Sequence, residues 1–192
     1  MSVAIERLGA DTSATLRDEI VLVYERAWTG MPFPFAPTQA RDFSKSFERH
    51  VLRRDFRLRV ARDDGAPIGF AYGYTSRRGV GWWRDAIETA MASELAARWL
   101  ENCFEFVELA VVPEARGRGV GGRLHDALLE ELPHSTAILS TQQANDVALA
   151  LYRERGWEIV LEGFRFAHRH DPYVIMGLDV PAFLGRAGSE SA

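Results

Sequence analysis

Cysteine is almost missing from this chain. Cys103 is the single example in 192 residues, which excludes an intrachain disulfide and a zinc site built on clustered thiolates. Lysine is as scarce: of 23 basic residues Lys45 is the one lysine, leaving 22 arginines. GC-rich codon usage explains that ratio as well as a need for anion-gripping guanidinium forks does. Surplus positive charge is missing too. The formal net charge is −4, so no basic field exists to hold nucleic acid non-specifically. No apolar run reaches the roughly 18 residues that a membrane span requires. The first residues, MSVAIERLGADTS, lack a basic stretch followed by an apolar one, so no secretory leader is expected and the cytoplasm is the expected compartment. What remains is ordinary for a globular protein, with 47% hydrophobic and 26% charged residues. A chain of this length can bury about 70% of its unfolded surface, enough for one domain with a real core.

Local patterns give the element order. Val3, Ile5 and Leu8 suggest a first strand. Leu16, Ile20, Val23, Tyr24 and Ala27 recur at helical spacing and predict a helix over 13–28, with Asp11, Thr12 and Ser13 as cap candidates. Three prolines in MPFPFAP (31–37) forbid regular helix there. A second helix opens at Pro37 or Thr38, with Phe43, Phe47 and Val51 on one stripe. FRLRVARD (56–63) and IGFAYGY (68–74), joined by DDGAP, predict a hairpin. Residues 77–101 look like an insertion, with Ile87, Met91, Leu95 and Trp99 at steps of four along one helix from Trp82 to Leu100. CFEFVELAVV (103–112), the most hydrophobic strand, is expected at the centre of the sheet. A glycine-rich turn (117–122) then opens a helix with the stripe Leu124, Leu128 and Leu132. AILST (137–141) is a strand, and Asn145 or Asp146 caps a helix that Gly156 stops. WEIVLEGFRF and PYVIMGLDV are the final strands. The order βααββ(α)βαβαββ predicts a mixed α/β domain over 1–184, with 185–192 as a disordered tail.

The stretch ELAVVPEARGRGVGGRLHDALL carries the most chemistry. A buried strand runs through a proline turn into Gly117, Gly119, Gly121 and Gly122, and a helix follows. Glycine lets backbone approach a ligand closely, and the first amides of a helix are unpaired at the positive end of its dipole. Such a turn is a pyrophosphate cradle, with Arg116, Arg118 and Arg123 adding charge nearby. A P-loop would need Lys and then Ser or Thr where Arg123 and Leu124 stand. Gly117, Gly119 and Gly122 spell GxGxxG. The dinucleotide fingerprint, however, needs glycines directly after the strand and an acid about 20 residues on, where LSTQQA offers none.

Arg116, Gly119 and Gly121 instead fill Arg-x-x-Gly-x-Gly, and with them LAVVPEARGRGVGGRL resembles the acetyl-CoA motif of the GNAT superfamily of acyl-CoA N-acyltransferases. ANDVALALYRERGWEIV is similar to that family's second signature, and the likeness covers about 104–180. It implies a mostly antiparallel central sheet flanked by helices, with acetyl-CoA as co-substrate in a V-shaped opening between strands 104–112 and 137–141. Backbone groups of Leu109, Ala110 and Val111 would pair with the pantetheine arm. Amides of Gly117, Arg118, Gly119, Val120, Gly121 and Gly122, with Arg116 beside them, would hold the pyrophosphate. Asn145 would touch the arm from the other side, unless it serves only as a helix cap.

Acyl transfer to an amine needs a base, a polarised carbonyl and a proton for the departing sulfur. Tyr152 matches the family's general acid, and a phenol suits a thiolate leaving group; packing at the helix end is its plainer reading. Glu105 and Glu108 are rival bases, since a carboxylate in an apolar strand is costly without a partner. Ser140 stands where some relatives carry a catalytic glutamate. His168, His170 and Asp171 have metal-like residue types at poor ligand spacing, so no metal is expected, and His125 reads as exposed. Trp28, Phe33, Phe35, Trp82 and Trp83 could line an acceptor pocket or simply pack. The resemblance thus implies an N-acetyltransferase acting on a small-molecule primary amine by direct transfer in a ternary complex. A protein N-terminus or lysine is the alternative acceptor, and a non-catalytic acyl-CoA sensor the alternative class. No nucleic-acid or membrane partner is expected, and a homodimer stays open.

Overall fold

The computed structural model describes residues 3–13, 16–28, 36, 38–167 and 171–190. Its strands are β1 (Ala4–Leu8), β2 (Arg57–Asp63), β3 (Ala66–Thr75), β4 (Cys103–Val111), β5 (Thr136–Gln142), β6 (Glu158–Phe164) and β7 (Tyr173–Asp179). They form one seven-stranded sheet in the order β1-β2-β3-β4-β5-β7-β6. The helices are α1 (Ala10–Ser13), α2 (Arg17–Trp28), α3 (Gln39–Val51), α4 (Trp82–Ala90), α5 (Ser93–Leu100), α6 (Val120–Leu129), α7 (Asp146–Glu154) and α8 (Val180–Glu190). Packing groups the chain into two compact units, Met1–Tyr74 with Val107–Glu130, and Thr75–Phe106 with Glu131–Ala192.

In the first unit β1, β2 and β3 make an antiparallel meander. Asp64 and Gly65 both have positive φ (49° and 84°), as a two-residue turn between right-twisted strands requires. The predicted stripe of α3 is buried, and Phe43 stacks on Tyr24 of α2 with ring centroids 3.9 Å apart. Charges alternate along β2, yet Arg59 is buried, and burial lowers its pKa to about 10. The last carbonyls of a helix have no amide partners of their own. Arg59 Nε donates to Ala127 O (2.9 Å) and Arg57 Nη1 to Glu130 O (2.7 Å), so β2 caps the end of α6.

In the second unit β4 pairs in parallel with β5 over Cys103–Glu105 and Thr136–Ile138, and β7 runs antiparallel to both β5 and β6. Ile87, Met91, Trp99, Leu100, Cys103, Ile138, Phe166 and Ile175 form its core. The predicted insertion is present, but as two helices rather than one, because Met91 and Ala92 are extended (ψ 148° and 147°). The tail expectation also needs correcting: residues 185–190 continue α8. Asp179 Oδ1 accepts from the Ala182 amide (2.9 Å), while Val180 and Phe183 are buried, so a cap and an apolar face drive this helix. The helix expected over 13–28 is α2, which starts at Arg17; residues 14 and 15 lie outside the described set.

Candidate active site

The site begins where β4 ends. The Val112 amide donates to Ile68 O (3.0 Å), and a Cβ on Gly69 would lie 2.9 Å from Ala110 O, so β3 approaches the end of β4 as only glycine permits. Pro113–Ala115 form one 3-10 turn, Arg116 returns to extended backbone, and Gly117 and Gly119 then take φ of +71° and +73°. An L side chain in that region costs about 1–2 kcal/mol. Among the described residues other than its chain neighbours, none places an atom within 4 Å of where a Cβ would sit on either glycine, so conformation rather than crowding selects glycine there.

Gly119 is the N-cap of α6 and has no side chain with which to cap it. Helix geometry leaves the amides of Gly119, Val120, Gly121 and Gly122 without intrahelical acceptors. At α7 the same need is met internally: Asn145 Oδ1 accepts from the Ala148 amide (3.2 Å). One helix of the two thus presents a bare, dipole-positive end on a glycine turn, a fit for a pyrophosphate.

The arginines around this turn hold protein rather than point freely outward. Arg116 donates from Nε to Val111 O (3.3 Å) and from Nη2 to Ala27 O, which ties the turn to the end of α2. Arg118 pairs with Asp63 (2.8 Å), and Arg123 donates to Val3 O (2.7 Å). Arg116 and Arg118 are therefore tied to protein atoms around the turn, which leaves the backbone amides as the groups that could meet an anion there. His125, expected on an exposed face, is fully buried, with Nδ1 2.8 Å from Asp126 Oδ1.

Glu108, Leu109, Ala110 and Val111 run straight into this turn. Glu108 is half-buried, and burial pushes its carboxyl up to about 8, against the pull of the Leu109 amide. That value suits a general base near neutral pH. In the second unit, Glu105 is buried on the paired segment of β4, opposite Ile138. On a regular strand, residues three apart face opposite sides.

Tyr152, also in the second unit, is 7% exposed on the last turn of α7. Its ring packs edge-on to Phe106 (6.0 Å) and tilted to Trp157 (5.7 Å). The Trp157 amide donates to Tyr152 O (3.1 Å), so the Gly156 turn, with φ of +86°, folds the tryptophan back over the tyrosine. Phe106 and Trp157 thus hold the Tyr152 ring in place, and the Gly156-Trp157 pair after α7 is the sequence sign of the tryptophan's part in it. Trp83 Nε1 donates to Ser140 Oγ (3.0 Å), so an indole is bonded to the serine that stands in place of a third glutamate. Trp82 is 64% exposed, edge-on to Phe166. Phe33, Phe35, His168 and His170 lie outside the described residues. Among the described residues no group of three or more His, Cys, Asp or Glu could hold a metal, and no helix is long and apolar enough to cross a membrane.

Comparison with known proteins gives consistent matches. The sequence model of the acetyltransferase (GNAT) family matches residues 20–157. A GCN5-like protein acetyltransferase of Mycobacterium tuberculosis is 31% identical over 131 residues, which are 64% of this chain and 63% of that protein. The chain spans just under two thirds of the length of the curated relatives it matches. The ribosomal-protein-S18-alanine N-acetyltransferase of Escherichia coli has a similar fold, with a TM-score of 0.65, 17% identity and coverage of 93% of this chain and 94% of that one. So has yncA of Salmonella typhimurium, solved with its cofactor acetyl-CoA, with a TM-score of 0.61, 13% identity and coverage of 94% and 95%.

Proposed function

The chain belongs to the acetyltransferase (GNAT) family, and on that premise we propose that it transfers an acetyl group from acetyl-CoA to a primary amine of a small molecule, directly and without an acyl-enzyme. The observation that carries the reading is the uncapped start of α6 on its two left-handed glycines. In this reading the amides of Gly117–Gly122 hold the pyrophosphate. Backbone groups of Leu109, Ala110 and Val111 take the pantetheine arm. Asn145 spends Oδ1 on its cap and has Nδ2 to donate to the arm.

Glu108 is the base in this proposal. An ammonium has no lone pair, and a carboxyl with a pKa of about 8 accepts its proton with little mismatch. Glu105 is the alternative. As the amine nitrogen bonds to the acetyl carbon, the C–S bond breaks and the sulfur leaves as thiolate. Tyr152 gives it a proton, and a strand amide at Ala110 or Val111 polarises the carbonyl oxygen. Cys103 offers no covalent route: it is buried, and burial pushes its thiol up to about 12.

A protein acceptor is the second reading, favoured by the similarity to the mycobacterial GCN5-like protein acetyltransferase. The deciding experiment measures CoA release from acetyl-CoA over a panel of small amines, peptides with free N-termini and lysine peptides. Turnover of small amines alone supports the first reading, and turnover of peptides alone supports the second. CoA binding with no turnover on any acceptor would reduce the protein to an acyl-CoA sensor.

A further inference from the structure

Gly117 and Gly119 leave one residue between them, Arg118, and its side chain is the grip that the fold has on this stretch of the turn. Both glycines have left-handed backbone, with φ of +71° and +73°. Among the described residues, the backbone of Gly117 and Arg118 makes no hydrogen bond to the rest of the chain. Backbone bonds resume on either side: the Arg116 amide donates to Pro113 O (3.2 Å) and the Arg123 amide to Gly119 O (3.1 Å). Glycine gives a backbone its widest conformational choice, and a ligand that needs one conformation must offset that entropy when it binds.

The Arg118 guanidinium is anchored on β2, where its Nη2 donates to Asp63 Oδ2 (2.8 Å). Asp63 is the last residue of that strand and pairs with Ala66 across the tight turn. Arg62 locks the turn: its Nη1 donates to Gly65 O (3.1 Å), its Nε to Glu6 of β1 (2.9 Å), and its Nη2 lies 2.9 Å from Glu19 of α2. Two further elements thus brace the anchor. The Asp63 side chain is 14% exposed, and among the described residues its Oδ1 is buried without a hydrogen-bond partner. A carboxylate so placed is costly to leave unpaired, so it holds Arg118 more firmly than a fully exposed ion pair would. All of these residues belong to the first unit.

We propose that Asp63 is a positioning residue for the acyl donor: through Arg118 it fixes the Gly117–Gly119 backbone before CoA arrives, so that the pyrophosphate meets amides already in place. Arg118 acts here as a strut, not as a ligand of the phosphates. The inference rests on the acetyl-CoA reading of the α6 turn and adds to it a residue 55 positions earlier in the chain. Calorimetry with CoA on the wild type, Asp63→Ala, Arg118→Ala and the double variant tests it. Asp63→Ala should raise Kd about three- to tenfold, although it removes a negative charge near an anion site. Arg118→Ala should raise Kd at least as much, and the double variant should be no weaker than Arg118→Ala, because the two side chains act as one link. Amide relaxation of the ligand-free protein reads the cause: order parameters at residues 117–119 should fall from about 0.85 toward about 0.6 in Asp63→Ala, while those of α6 stay. Arg118→Ala leaves Asp63 unpaired and should melt below wild type, and the double variant should recover part of that loss. An unchanged or lowered Kd in Asp63→Ala would overturn the proposal, since a guanidinium freed from Asp63 would then serve the phosphates at least as well. Unchanged order parameters at 117–119, or single-variant effects on Kd that add in the double variant, would overturn it too. No CoA binding by the wild type would overturn the acetyl-CoA reading itself, and this inference with it.

Discussion

Replacing Glu108 by Gln should stabilise the protein at alkaline pH and leave it unchanged at acid pH. The carboxyl titrates at about 8 in the folded chain against 4.5 ordinarily, with burial as the main cause. Between those values the folded state holds a proton that the unfolded state has released. Stability therefore falls as pH rises from about 4.5 and levels off above about 8. At about 1.36 kcal/mol per pH unit the gap has a ceiling near 5 kcal/mol. Solvent reaching this half-buried side chain should keep the realised loss on the order of 2–4 kcal/mol. Glutamine keeps the size and removes the charge, so the variant escapes that loss. For a chain of this length, about 2–4 °C per kcal/mol puts its melting temperature at least about 4 °C above wild type at pH 9, with no gain at pH 4.5. Thermal melts of the ligand-free protein at pH 4.5, 6.5 and 9 measure this. An equal difference at every pH would refute the burial argument. If Glu108 is also the base, kcat/KM of the wild type should rise with an apparent pKa near 8, and Glu108→Gln should lose that limb.

Three further outcomes follow from the same geometry. Gly119→Ala should cost about 1–2 kcal/mol of stability from its φ of +73°, and should raise the Kd for CoA measured by calorimetry; unchanged affinity in the folded variant would remove the cradle from CoA binding. Tyr152→Phe should lower kcat by about 10²–10⁴-fold with little change in KM for acetyl-CoA, and an unaltered chemical step would leave the ring to packing alone. Cys103, buried with its thiol near 12, should resist alkylation at pH 8 until the protein unfolds; labelling of the native chain faster than unfolding would contradict its placement.

The parts of the fold that sequence made readable are those governed by local rules. Gly117 and Gly119 mark a backbone that must turn left-handed, Asp64-Gly65 marks a tight hairpin, and Asn145 marks a helix start; each constraint lies within a few residues of its cause. The break at Met91 and Ala92 is hidden because the four-residue apolar step runs straight through it: Ile87 on α4, Met91 in the break and Trp99 on α5 are buried together in one core. The burial of Arg59 is illegible in the sequence for another reason. Its acceptor is the carbonyl of Ala127, 68 residues away, and no pattern around Arg59 announces it. The start of α8 was readable, since Asp179 caps it and Pro181 follows, but the small polar residues beyond Gly185 outweighed that signal.

Glu105 and Glu108 show where site reading passes from residue type to environment. In the sequence they are the same residue in one apolar strand, three apart, and nothing local separates them. The fold treats them differently. Glu105 sits where β4 is paired with β5 and is buried, whereas Glu108 is half-buried in the part of the strand that leads into the α6 turn. A base must keep a route for its proton and lie along the chain from which the acyl donor is held. On the proposed reading Glu108 would satisfy both conditions, being half-buried and on the same backbone as Leu109–Val111 and the glycine-rich turn. Its burial, which costs folding free energy at neutral pH, also brings its basicity close to that pH, so the destabilisation measured in the melts and the alkaline limb of the rate profile should titrate together.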